Sequence, residues 1–95
     1  MDARKLVAWN LRRIRVEKRL SQEALAVDAE IDRTYVSRLE RNLENPTVAV
    51  LERLAHALDI PIVEFFAAVP PNAKRLDVLL PGRKVNSRSK RPAQK

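Results

Sequence analysis

The chain has no cysteine, one histidine, one glycine, and only one tryptophan, one tyrosine and two phenylalanines in 95 residues. Without cysteine, neither a disulfide framework nor a thiolate zinc site can form. His56 alone cannot build a histidine metal cluster, so no metal and no cofactor is expected. The single glycine, Gly82, lies far toward the C-terminus. A glycine-rich phosphate loop is therefore missing, as are the glycine turns that join paired strands. No long hydrophobic run occurs. The stretch from Ile60 to Val69 is interrupted by Pro61 and Glu64 and is too short to span a bilayer. The N-terminus lacks the apolar segment of a secretory signal, so a cytoplasmic location and no membrane partner are expected. With no paired carboxylates in a plausible cleft and no cysteine nucleophile, an enzyme is not expected.

Charge of one sign is in excess, but unevenly. The net charge is +7. Residues 1–69 hold eleven Lys/Arg and eleven Asp/Glu, so they sum to zero. Residues 70–95 hold eight basic residues against Asp77, so the whole excess sits there. Bulk charge thus marks a basic C-terminal segment and does not by itself assign nucleic-acid binding to the rest. Apolar residues make up 45% of the chain, enough for one modest core without staples. The boundary falls at Pro70-Pro71, where helical periodicity stops. Residues 1–69 are read as one folded domain and 70–95 as a basic, disordered tail, in which Leu76-Asp77-Val78-Leu79-Leu80 is a candidate strand or docking peptide.

Within 1–69 the periodicity is helical. A first helix is expected from about Ala3 to Lys18, with Val7, Leu11 and Ile14 on one face. Trp9 lies off that face and has no clear place. Ser21 is a good N-cap for a second helix whose inner side is Leu25, Ala26 and Ala29. After a turn at Glu30-Ile31, Asp32 caps a third helix from Arg33 to Arg41, with Val36 and Leu39 inward. Asn42 suits a left-handed helix end. Thr47 caps a fourth helix with the stripe Val48, Leu51, Leu54, Ala55 and Leu58. Pro61 opens a short fifth helix from Ile62 to Ala67.

Helices 22–29 and 33–41, joined by so few residues, must cross sharply. Ala26 is small enough for close approach, and Ile31 can plug the angle. These are the requirements of a helix-turn-helix. If Val36 and Leu39 face inward, then Arg33, Thr34, Ser37 and Arg38 face out. In this motif the second helix enters the major groove, where arginine can hold guanine O6 and N7 bidentately. Arg33 and Arg38 are the expected base readers, Thr34 can touch a thymine methyl or a phosphate, and Tyr35 either reaches DNA or packs sideways. Arg12 and Arg13, on the first helix, are read as solvated more readily than as phosphate contacts. His56 is an ordinary helix residue.

The segment from Val7 to Phe66 resembles the phage-repressor and Cro-like helix-turn-helix family, also called the xenobiotic-response-element family. The resemblance rests on Ser21-Gln22-Glu23 before Leu25-Ala26, on Tyr35-Val36-Ser37-Arg38-Leu39-Glu40-Arg41, on Asn45-Pro46-Thr47, and on Leu54-Ala55 with Leu58. It implies an all-α, compact five-helix lambda-repressor-like DNA-binding domain. It implies that Gln22 contacts the DNA backbone, that Arg41 and Asn42 meet phosphates, and that Arg15 and Glu40 form a structural ion pair. The family commonly has Gly where this chain has Glu30 and Asn42; Glu30 is therefore a candidate for mild strain.

Together these features imply a sequence-specific regulator of transcription, with repression the expected action, acting on double-stranded DNA with a two-fold symmetric operator. The apolar residues Ile60, Ile62, Val63, Phe65 and Phe66 exceed what the core needs. They suggest a homodimer with Ile62, Val63 and Phe66 in its interface. The alternatives are an antitoxin or antiactivator that uses the same fold to bind a protein, with residues 70–95 meeting a regulatory partner, and a non-specific binder driven by the tail.

Overall fold

A computed structural model describes residues 2–70. The fifth element is a 3-10 turn, and the other four are α-helices: α1 Ala3–Glu17, α2 Gln22–Ala29, α3 Arg33–Glu40, α4 Val48–Leu58, then α5, the 3-10 turn Ile62–Phe66. Each α-helix starts at a residue whose side chain accepts a first-turn N–H: Asp2, Ser21, Asp32 and Thr47. These caps satisfy donors that the helix leaves open. The basic tail, including its Leu76–Leu80 segment, lies outside the described residues from Pro71 onward.

All four α-helices also end alike. Arg19, Glu30, Asn42 and Asp59 have φ between 58 and 63°. The N–H of the following residue reaches back five positions: Leu20 to Arg15, Ile31 to Ala26, Leu43 to Arg38 and Ile60 to Ala55. This is the Schellman closure, with an apolar residue just past the left-handed one. Leu20, Ile31 and Ile60 fold back onto the core; Leu43 stays 48% exposed. Glycine would take the left-handed position without steric cost, and none stands at any of the four.

The core collects one face of every helix. Val7, Leu11 and Ile14 of α1 meet Leu25, Ala26 and Ala29 of α2, Val36 and Leu39 of α3, Leu51, Leu54, Ala55 and Leu58 of α4, and Phe65 of α5. Two apolar residues differ from expectation. Val48 is exposed, because α4 begins there and its first turn projects past the core. Phe65 is fully buried and closes the bundle against α1, so it belongs to the core and not to the outer apolar patch.

A polar staple holds α5. Asn10 is fully buried. Its Nδ2 donates to the carbonyl oxygens of Leu6 (3.1 Å), Phe65 (3.0 Å) and Ala67 (2.9 Å). With two N–H groups for these acceptors, one bond is shared. Its Oδ1 accepts from Arg13 Nε and Nη2. Arg13 also pairs with Glu17 and lies 5.6 Å from the centre of the Trp9 ring. Trp9 is thus the half-buried platform beneath Arg13, and Arg13 is a structural residue held by Asn10 and Glu17 of α1, not a solvated one. No helix among the described residues is long and apolar enough to cross a membrane.

Candidate nucleic-acid interface

The three residues between α2 and α3, Glu30, Ile31 and Asp32, turn the chain. Ala26, buried, and Ile31, half-buried against the core, fill the angle. Arg53 of α4 braces the turn: its Nη2 donates to the Glu30 carbonyl oxygen at 2.9 Å, and it lies 3.7 Å from the Glu30 carboxylate. The sequence held no signal for this brace, because Arg53 lies on an outward position of a different helix.

With Val36 and Leu39 buried, α3 presents Arg33, Thr34 and Arg38 to solvent, while Tyr35 and Ser37 are partly covered. Tyr35 packs sideways on the core. Burial, and after it the Glu44 carboxylate, hold the Tyr35 hydroxyl above its ordinary pKa. The Arg41 side chain is exposed, and its Nε donates to the Ser37 carbonyl oxygen. Asn42 is half-buried in its left-handed position.

The two outward arginines differ. The Arg33 side chain is exposed, with no hydrogen bond or ion pair to another described residue. Arg38 is engaged: Nε donates to Glu44 Oε2 at 2.8 Å and Nη2 to the Leu43 carbonyl oxygen at 3.3 Å. Glu44 sits in the loop after α3, six residues on, outside any helical spacing that would have suggested the contact.

Glu40 is held from behind α3. Arg15 Nε donates to its Oε2 and Arg15 Nη2 to its Oε1 at 3.0 Å, a bidentate pair, while Arg15 Nη1 donates to the Leu20 carbonyl oxygen. The two side chains are 12% and 3% exposed. Gln22 joins this network, its Nε2 donating to Glu40 Oε1 at 3.1 Å. A carboxylate on α3 would repel phosphate; here its charge is matched and turned inward.

This short-turn helix pair, with a capped and braced second helix offering arginine outward, defines the helix-turn-helix class. The helix-turn-helix family model matches residues 11–65, and the chain belongs to that family, in its phage-repressor and Cro-like branch. It is similar to an HTH-type transcriptional regulator of Sinorhizobium fredii, 47% identical over 64 residues that cover 67% of this chain and 83% of the relative. It is also similar to the immunity repressor protein of Bacillus phage phi105, 38% identical over 59% of this chain and 39% of that longer protein. Among solved structures, the restriction-modification controller protein C.AhdI from Aeromonas hydrophila superposes with a TM-score of 0.65 at 40% identity, covering 66% of this chain and 96% of that one. A second controller protein, C.Esp1396I, solved as a tetramer in complex with its natural 35 base-pair operator, superposes with a TM-score of 0.65 at 38% identity over 70% of this chain and 87% of that one.

Proposed function

We infer that the chain is a sequence-specific, double-stranded-DNA-binding regulator of transcription that reads the major groove with α3 and acts as a repressor. The observation that carries this reading is the charge arrangement of α3. Arg33, Thr34 and Arg38 face outward, while Glu40 is neutralised by Arg15 on the inner side. With the one carboxylate of α3 itself matched and turned inward, the helix can approach phosphates and offer guanidinium groups to guanine. The complex of C.Esp1396I, a protein of the same fold, with its operator supports DNA as the partner.

Arg33 is the leading base reader, Thr34 a thymine or phosphate contact, and Ser37, Tyr35, Arg41 and Asn42 phosphate contacts along α3 and its end. Gln22 gives one Nε2 proton to Glu40 in the free protein, which leaves the other for its phosphate contact. Reading more than a few base pairs calls for two copies on a two-fold site, with recognition helices roughly 34 Å apart. Val63 and Phe66, 63% and 44% exposed beside the half-buried Ile62, offer the apolar surface for that homodimer. Residues 1–69 form the DNA-binding domain, and the basic segment 70–95 adds phosphate contacts of no sequence preference. The chain performs no catalysis in this role.

Selection of duplexes from a random pool, followed by sequencing, tests the reading. The expected result is a symmetric consensus. Recovery of no sequence preference at moderate salt would overturn it.

A further inference from the structure

Resting on the regulator reading, we propose that Glu44 is a specificity-determining residue: it holds Arg38 for base reading and withdraws its charge from indiscriminate phosphate binding. The pair is not explained by stability. Its side chains are 44% and 28% exposed, and exposed pairs contribute little to folding. It also stands where a carboxylate is unwelcome. Glu40, the one acid within α3, is turned inward to Arg15, whereas Glu44 sits beside the outward face of α3.

The hydrogen bonds show what the contact does. Glu44 takes the Nε side of the guanidinium, and the Leu43 carbonyl takes one Nη2 proton. Of the five donors of an arginine, both of Nη1 and one of Nη2 remain. Guanidinium donors of this kind match guanine O6 and N7. Arg38 is therefore biased toward a geometry that leaves Nη1 and one Nη2 proton open, which lowers the ordering cost on binding. The same carboxylate cancels the charge that would otherwise add one more non-specific phosphate contact. Arg33 has no such partner among the described residues, so the two arginines divide the work. Arg33 supplies attraction and reading, and Arg38 supplies reading alone.

Two substitutions separate position from charge. Glu44→Gln keeps an oxygen that can accept from Nε but removes the charge; Glu44→Ala removes both. Binding to a random-sequence duplex is measured by fluorescence anisotropy across a salt series, and each variant is put through the random-duplex selection beside Arg38→Ala. Both Glu44 variants are expected to bind the random duplex more tightly, with a salt slope steeper by about one unit. Glu44→Ala is expected to lose preference at the base pair that Arg38→Ala loses, by about fivefold or more, while Glu44→Gln keeps it. The chain's single tyrosine gives a readout that needs no DNA: the ionisation midpoint of Tyr35 is expected to fall in both variants. Unchanged base preference in Glu44→Ala, or no gain on the random duplex, would overturn the proposal. An unmoved Tyr35 midpoint would overturn the placement of the Glu44 carboxylate against α3. A wild-type chain that selects no consensus would instead remove the regulator reading, and the role of Glu44 with it.

Discussion

Arg15 and Asn10 both hold distant parts of the chain together through their side chains, and they differ in how visible they were. Arg15 and Glu40 could be paired from the family resemblance. Asn10 could have been noticed by its spacing, three residues from Val7 and one before Leu11 on the buried side of α1, but nothing local says which carbonyls it serves. Removing one member of a buried, bidentate pair leaves the other charge uncompensated. Arg15→Ala is expected to cost on the order of 3 kcal/mol, read by urea unfolding. A loss below about 0.5 kcal/mol would place the pair among ordinary surface contacts. Asn10→Ala leaves buried carbonyls without a donor and should cost about 2–3 kcal/mol. It should also loosen α5 selectively, seen as faster amide exchange after Pro61. Asp2 titrates. The Lys5 backbone N–H, first, and then the charges of Arg4 and Lys5 hold its carboxyl below the usual value. Its capping contribution is therefore complete above the ordinary carboxylate pKa and lost as pH falls through the folded value. The stability gap between wild type and Asp2→Ala should close on acidification in that range.

At the scale of the element, the helices were legible because their signals are local. The four N-caps and the three- and four-residue spacings are read within one turn, and the bounds of α2 agree with the spacing expectation; α1 and α3 end one residue sooner. The helix ends were half visible. Asn42 and Glu30 were marked as left-handed positions, while Arg19 and Asp59, which take the same conformation, were not. Their signal was present all along: each stands before an apolar residue, Leu20 or Ile60, that closes the motif. The absence of glycine makes a prediction. Arg19→Gly and Asp59→Gly relieve a left-handed L-residue but enlarge the unfolded ensemble, so each should raise stability by about 0.5–1 kcal/mol in thermal or urea unfolding. Glu30→Gly should gain similarly, since the exposed Arg53–Glu30 carboxylate contact contributes little and the Arg53 bond to the backbone carbonyl survives the change.

For the whole molecule, the apolar residues near the C-terminal end of the described region split into two roles. Phe65 goes inward and completes the core; Val63 and Phe66 remain outside. Adjacent phenylalanines take opposite roles because α5 is a single 3-10 turn, too short to give the residue pattern a readable period. A Val63→Asp, Phe66→Asp double variant is expected to sediment as a monomer at micromolar concentration and to lose affinity for a two-half-site duplex far more than for a half-site. An unchanged oligomeric state would exclude this surface. Deleting residues 70–95 should weaken DNA binding and flatten its salt dependence without altering the selected consensus.

What the sequence alone determined is the local grammar: a cysteine-free, all-helical domain, its caps, its inward faces, and a helix-turn-helix whose second helix turns Arg33 and Arg38 outward. These follow from the helical repeat and from capping chemistry, which act over a few residues. What only the tertiary structure decided is how distant side chains share charge. Arg53 reaches back to Glu30, Asn10 holds α5, and Glu44 takes the Nε side of Arg38, making two outward arginines unequal. Such contacts depend on where separate elements come to rest, and no spacing along the chain encodes that.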